Sequence, residues 1–487
     1  MKKTLCILLC AVLLAGCFTP AFAADAALSA EEPAAAAAAQ YPLVIARGMD
    51  FDGIYTVNDA GEKVLCFHGI TAGGIIKTLG KTVKNAFTMG LRHGFAAAAV
   101  DYVWEVMGDM ACGTDGRSVK DVRCDRYFGS MARFEDFWSG VHENESKEDA
   151  LVRTACETVG AENVYYFTYD YRLDPFELAD DLRDWIELAK TEHGTDRVTL
   201  VNCSMAGVIT DCYLYKYGAS SLAKVLFLSS TFCGTDMATE ILQKQVGTDE
   251  TLLENYLRTL LGDRAVIRLL RRTGLLKTAA NVLNRFVSAE IDYVFDACMR
   301  DIFGTMLSYW ANVQPGAVDD AVACLFPTQE EKETYAVLIE KIYRLKTVME
   351  NRETLLSALP AQGVAVAVVA GYNSSPVPIY PGAGMQSDGI LDTRWMLGGA
   401  AVTPMGTASS PGNALTSPDG NVDLANVLFP QYTWAIRDCG HVPVQYGSDC
   451  SRLIMQILTY DGQPTVESFA EFPQFFTVDA KTKNLLS

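Results

Sequence analysis

Three residues of this chain, taken in order, can carry covalent chemistry: Ser204, Asp388 and His441. A serine hydroxyl is a weak nucleophile until a general base takes its proton, and the base works best when an acid orients it. Ser204 lies in Val198-Thr-Leu-Val-Asn-Cys-Ser-Met-Ala-Gly207, an apolar run followed by a helical pattern. A strand that turns sharply into a helix lifts such a serine above the sheet edge and aims the helix N-terminus at it. The usual spacing has glycine two residues to either side; here those positions hold Asn202 and Ala206. Alanine adds one methyl group, and asparagine tolerates unusual backbone angles better than most residues. Cys203 precedes the serine rather than replacing it, so no thiol nucleophile is expected.

The base follows from the order of residues along the chain. For a serine on this kind of elbow the order is serine, acid, histidine. His68, His93, His142 and His193 all precede Ser204, which leaves His441, just after the apolar run Thr433 to Arg437. The acid is expected after the preceding apolar run, Val364 to Ala370. Asp388, followed by Gly389 in a turn, is the first choice and Asp392 the second. An oxyanion needs two backbone N–H donors. Met205, directly after the serine, and Met49, in the loop after the first apolar run, are the candidates.

The elements that must position these residues are α/β in rhythm. Apolar runs at Pro42–Arg47, Asn163–Thr168, Val198–Asn202, Lys224–Ser229, Val364–Ala370 and Thr433–Arg437 are separated by helical patterns. Fully apolar strands of this kind belong to a mostly parallel sheet with helices on both faces. Asp174-Pro175-Phe176-Glu177 predicts a helix start with an N-cap, a first-turn proline and a capping-box glutamate, and His193-Gly194 predicts its end. The expected organisation is a core over 42–235, a helical cap insertion over 236–358 and the rest of the core with a C-terminal tail over 359–487. Within the insertion, Leu252 to Phe286 carries seven arginines and lysines against Asp263 and Glu254, and its leucines recur at helical spacing. Such a stretch is either an amphipathic lid meeting lipid or an acidic substrate, or a solvated face paired with acids elsewhere.

Composition narrows the function further. A net charge of −19 excludes a nucleic-acid binder, which needs a basic face. The N-terminus, Lys2-Lys3 followed by Leu5–Leu14, predicts a signal peptide over 1–23. Leu14-Ala15-Gly16-Cys17 offers a lipobox in which Cys17 is lipidated, and Ala21-Phe22-Ala23 an ordinary cleavage site; both predict export, the first with membrane anchoring. An alanine-rich tether follows over 24–41, and no later stretch is long and apolar enough to span a bilayer. No CxxC pair is present and histidine is scarce, so neither a metal nor an organic cofactor is expected. Cys112 with Cys124, and Cys439 with Cys450, are spaced for disulfides in an oxidising compartment, while Cys203 and Cys324 read as buried small hydrophobes.

Several segments together resemble α/β-hydrolases of the lecithin:cholesterol acyltransferase-like and bacterial lipase-like group. Tyr166-Phe-Thr-Tyr-Asp170-Tyr-Arg172-Leu-Asp174-Pro175 is similar to that group's YFxYDWRLD segment, and Asn202-Cys-Ser-Met-Ala-Gly207 to its GHSMGG. Thr231-Phe-Cys-Gly234-Thr235 is similar to its TPFxGT, and Ser387-Asp388-Gly389 to its GDGTVP. The resemblance implies a Ser204–Asp388–His441 triad and ester substrates, often lipids, attacked beneath a mobile cap. The departures at Asn202, Cys203 and Ala206 leave an inactive, surface-anchored binding protein as the other reading. Transfer of the acyl group to an alcohol stays open beside hydrolysis.

Overall fold

The computed structural model describes residues 41–487 except 70, 140–148, 263, 408, 411, 443, 445–447, 480–483 and 487. The signal peptide, the lipobox and all but the last residue of the tether lie outside the described residues.

In chain order the strands are β1 (Leu43–Ala46), β2 (Tyr55–Val57), β3 (Lys63–Leu65), β4 (Val164–Phe167), β5 (Val198–Cys203), β6 (Leu222–Leu228), β7 (Ala365–Tyr372), β8 (Ala401–Val402), β9 (Val422–Asp423), β10 (Thr433–Arg437) and β11 (Phe475–Thr477). Seven of them form one sheet in the order β11-β10-β7-β6-β5-β1-β4. Every neighbouring pair in it is parallel. Alternate residues feed two separate cores: Val44, Leu200, Phe227 and Val368 pack on one face, and Ile45, Val201, Leu226 and Val369 on the other. This period of two, with both sets apolar, is why the strands read as unbroken hydrophobic runs. Helices Pro175–His193 and Ala206–Tyr217 cover the first face through Leu182, Trp185 and Ile209. Helices Asp149–Val159 and Ser448–Thr459 cover the second through Val152, Ala155, Leu453 and Ile457. The chain thus has the α/β-hydrolase architecture, a parallel sheet wrapped on both sides.

The helix expected from Asp174 begins at Pro175, with the Asp174 carboxylate accepting from the Phe176 amide at 3.0 Å, and stops at Gly194 in the left-handed conformation. Glu177 forms no capping box. Its carboxylate faces Lys341 at 3.6 Å instead, because Asp174 caps through Phe176 and pairs with Arg344 of a later helix.

Between β6 and β7 the described residues carry helices and no strand, among them Asp236–Leu242, Glu250–Leu261, Ala265–Arg272, Leu275–Val294 and Ala336–Ser357. The basic stretch in this segment is mixed in character. Arg258 and Arg271 both pair with the buried Glu254, while Arg264, Arg272, Lys277 and Arg285 are exposed. The last helix is tied to the sheet layer by a buried ion pair, Arg352 Nε to Asp211 Oδ2 at 2.7 Å. Burial pushes the Asp211 carboxyl up to about 7 despite the guanidinium beside it.

A helical hairpin that no periodicity argument marks fills the span after β3: Ala72–Met89 and Leu91–Met107, joined at Gly90 with φ 77°. Its second helix, rich in alanine, meets helix Leu275–Val294 through Phe95 against Phe286 and through His93 against Glu290. Among the described residues no helix is long and apolar enough to cross a membrane.

Candidate active site

The parallel register brings the C-terminal ends of five strands to one edge. Ala46 pairs with Asn202, Cys203 with Leu228, and Arg437 with Tyr372, so the loops that follow leave the sheet side by side. Ligand sites in open α/β sheets form in the crevice outside the carboxyl ends of the strands.

Ser204 follows β5 with φ +50°, the left-handed region that a non-glycine residue occupies only when its surroundings hold it there. Three bonds hold it: its amide donates to Leu228 O at 3.1 Å, and its carbonyl accepts from Thr231 N at 2.9 Å and Gly207 N at 3.2 Å. The helix Ala206–Tyr217 leaves at once. Strand, left-handed serine and helix together have the geometry expected of a nucleophile elbow.

Asn202 sits inside β5 and is not among the left-handed residues, so its tolerance of unusual angles plays no part. Fully buried, it accepts a hydrogen bond from Ser230 Oγ at 2.9 Å, which gives its larger side chain a polar seat. Close backbone approach falls instead on Gly207, one residue beyond Ala206. A Cβ there would lie 2.1 Å from Ser230 Oγ and 2.7 Å from the Phe232 amide nitrogen. The close approach thus needs glycine at Gly207, the last residue of the segment that resembles GHSMGG, while Asn202 and Ala206 are accommodated where that pattern has glycine.

His441 Nε2 lies 3.0 Å from Ser204 Oγ, and His441 Nδ1 lies 2.6 Å from Asp388 Oδ2. Asp388 Oδ1 accepts from the amides of Ile390 (3.0 Å) and Leu391 (2.8 Å), and the Asp388 carbonyl accepts from the His441 amide (3.0 Å). A carboxylate can only accept, so the proton between the pair belongs on Nδ1, leaving the Nε2 lone pair facing the serine hydroxyl. All three residues are buried.

Asp392, the other aspartate of the loop, is bonded elsewhere. Its Oδ2 accepts from the Asp236 amide at 2.7 Å, at the start of helix Asp236–Leu242. Burial, reinforced by the Asp236 charge, pushes its carboxyl up to about 8. Glu240 shares this region, accepting from the Gly382 amide at 2.7 Å. Asp392 therefore joins its loop to the helices between β6 and β7.

Sequence reasoning missed the pair that braces the two loops. Asn373, just after β7, and Asp438, just after β10, are both left-handed, with φ 71° and 61°. Asn373 Nδ2 donates to Asp438 Oδ1 at 2.6 Å. Asparagine and aspartate are the non-glycine residues that best tolerate this conformation, so their types were the available signal. Gly371 is a further missed contact: a Cβ there would lie 2.0 Å from the Cys439 carbonyl oxygen.

Met205 and Met49, the two residues expected as oxyanion donors, lie at the elbow helix and in the loop after β1. Met205 stands at the N-cap of the elbow helix. Met49 is half-buried against the core in the loop after β1, where the Arg47 carbonyl accepts from Tyr169 Oη at 2.6 Å and the Arg47 amide donates to Phe167 O at 3.1 Å. Tyr169 belongs to the segment 166–174, whose buried Arg172 pairs with Asp170 at 2.6 Å and donates to Met110 O. No group of three or more metal-binding side chains occurs among the described residues.

No protein-family model and no curated protein matches the chain. Solved structures that it resembles include a variant of the meta-cleavage product hydrolase CumD, at 14% identity over 57% of this chain and 70% of that one, TM-score 0.20. Tle4 in its complex with Tli4 aligns at 13% identity over 68% of this chain and 75% of that one, TM-score 0.24. The prohormone-processing carboxypeptidase KEX1ΔP of Saccharomyces cerevisiae aligns at 13% identity over 59% and 67%, TM-score 0.22. Likenesses this distant say nothing of activity, and the fold is defined by the strand order and register above.

Proposed function

We propose that this protein is an exported serine hydrolase that cleaves carboxylic esters, with lipid-like acyl esters as the substrate class. The observation that carries the reading is the hydrogen-bonded chain from Ser204 through His441 to Asp388 behind a left-handed serine. Ser204 Oγ attacks the ester carbonyl carbon while His441 Nε2 takes its proton. The amides of Met205 and Met49 receive the developing oxyanion, and Asp388 stabilises the imidazolium. Collapse expels the alcohol with the proton returned from His441, and water then releases the acid by the same steps. An alcohol in place of water would make the reaction acyl transfer. The lipid-like substrate class comes from the resemblance in segments 166–175, 202–207, 231–235 and 387–389, and anchoring through a lipidated Cys17 is part of the same proposal.

Ser204 is only 8% exposed, so an ester enters after the segments above the edge open. That near burial is also what favours the second reading, a hydrolase-fold binding protein without turnover. One experiment separates them: labelling with a fluorophosphonate probe, run beside ester hydrolysis across acyl chain lengths, on wild type and Ser204→Ala. Labelling and turnover confined to wild type support the hydrolase; equal rates in both proteins remove Ser204 from the mechanism.

A further inference from the structure

We propose that Cys439 and Cys450 form a disulfide that staples the loop bearing His441 to helix Ser448–Thr459. Both sulfurs are fully buried, and they meet at 3.7 Å. A disulfide bond is about 2.05 Å long, so closure requires the sulfurs to approach by less than ~2 Å, within the range of side-chain torsions. The two ends of the loop are already held in place. On one side the Cys439 carbonyl is packed against Gly371 of β7, and Asp438 is held left-handed by its bond from Asn373. On the other, Cys450 lies in a helix whose Leu453, Ile454 and Ile457 share one core cluster with Cys439. His441 falls inside the ring that the bond would close.

Burial pushes Cys112 and Cys124, the other pair with disulfide spacing, up to about 11, and Cys156, Cys233 and Cys298 up to about 12. Thiols so disfavoured as thiolates are inert to exchange in the folded chain.

Formation balances as thiol–disulfide exchange. The thiolate of one cysteine attacks a disulfide of the glutathione class, releasing one thiol and leaving a mixed disulfide. The second cysteine then displaces the other half, so two protons leave the protein and two electrons reduce the donor to two thiols. Because neither sulfur is exposed, the exchange belongs to folding in an oxidising compartment rather than to the finished molecule. The pairing stands by itself; only its consequence, an imidazole held in register with Ser204, rests on the proposed triad.

The test uses the full chain, prepared without reductant from an exporting host and, separately, refolded in glutathione with glutathione disulfide. Thiols are alkylated under denaturing conditions before digestion with trypsin. Both cysteines fall in one tryptic peptide, Asp438–Arg452. The expected result is that peptide unalkylated and lighter by two hydrogens, with a Tm that drops by a few degrees on reduction. The double variant Cys439→Ser, Cys450→Ser is expected to show the lower Tm with or without reductant. Alkylation of both cysteines after oxidation, or linkage of either to another cysteine, overturns the pairing. A linked peptide with no Tm difference between oxidised wild type and the double variant overturns the stapling. The mass readout needs no activity, so failure of the proposed hydrolase chemistry stays distinguishable from failure of the disulfide.

Discussion

The two edges of the central sheet each bury a titratable side chain, and they use it in opposite ways. At the N-terminal edge Lys224 is 5% exposed, and its ammonium donates to the carbonyls of Ile457 (2.7 Å), Leu458 (3.3 Å) and Tyr460 (2.6 Å). An ammonium has three N–H donors, so these three carbonyls, which end helix Ser448–Thr459, use all of them. Burial pushes this lysine down to about 8. A cavity of about 460 Å3 lies beside it, lined by residues that include Arg197, Tyr432, Tyr460 and Gln463. At the C-terminal edge His441 has one ring nitrogen fixed by Asp388 and the other facing a hydroxyl whose hydrogen is free to move. The first edge carries a cavity, and the second an arrangement that can do chemistry. A buried group whose every donor meets a fixed carbonyl completes a helix end, whereas a buried imidazole that faces a left-handed serine has the geometry the proposed proton transfer needs.

The largest expected effect breaks the C-terminal edge. Ser204→Ala is expected to lower kcat for ester hydrolysis by roughly 10⁴- to 10⁶-fold while circular dichroism and Tm stay near wild type. Asp388→Asn comes next, at roughly 10³- to 10⁴-fold in kcat with little change in KM, because an amide partner favours the wrong imidazole tautomer. A matching fall in KM, or none in kcat, would place Asp388 outside the reaction.

The N-terminal edge should break without loss of chemistry. Lys224→Met strands buried carbonyls and is expected to cost about 2–4 kcal/mol in urea unfolding, with kcat per folded molecule unchanged. A large kcat loss in the folded variant would instead join the two edges functionally.

Asp392 sharpens the contrast through pH. An acid held near 8 in the fold, against about 4 in the unfolded chain, binds its proton more tightly when folded. Stability from this group is therefore present in acid and lost as pH rises from about 4 to 8. Asp392→Asn keeps an acceptor for the Asp236 amide and removes the charge, so its Tm should gain on wild type at pH 9 relative to pH 5. A constant Tm difference across that range would show that Asp392 does not titrate there. The smallest effect is expected from Ser230→Ala, about 1 kcal/mol, through its lost bond to the buried Asn202.

The six sheet strands read as apolar runs lie within a few residues of where the chain forms them, since burial on both faces leaves no polar alternation to confuse the pattern. The short edge strand β11 and the hairpin Ala72–Met107 were not legible. The former has three residues, and the latter carries Ala96 to Ala99, small residues that suit close helix packing but mark no face. The cysteines were legible only in part: Cys203 is buried, but Cys324 is half-exposed on helix Val318–Leu325. The role of Asn202 is not legible either: it is a strand residue with a polar seat rather than a backbone device, because its partner Ser230 lies 28 positions away on the neighbouring strand's exit.

What the sequence by itself determined is an order: an apolar strand, a serine, a helix, then aspartates, then the one histidine that follows them. That much is local pattern and counting. Tertiary structure alone decided which aspartate meets the imidazole. Asp388 and Asp392 share a loop four residues apart, yet one carboxylate points to His441 and the other to the Asp236 amide. It also decided that the close-approach glycine is Gly207 and that Asn373 and Asp438 brace the loops. Each of these is a contact between segments distant in the chain, set by the register of parallel strands rather than by any neighbouring residue.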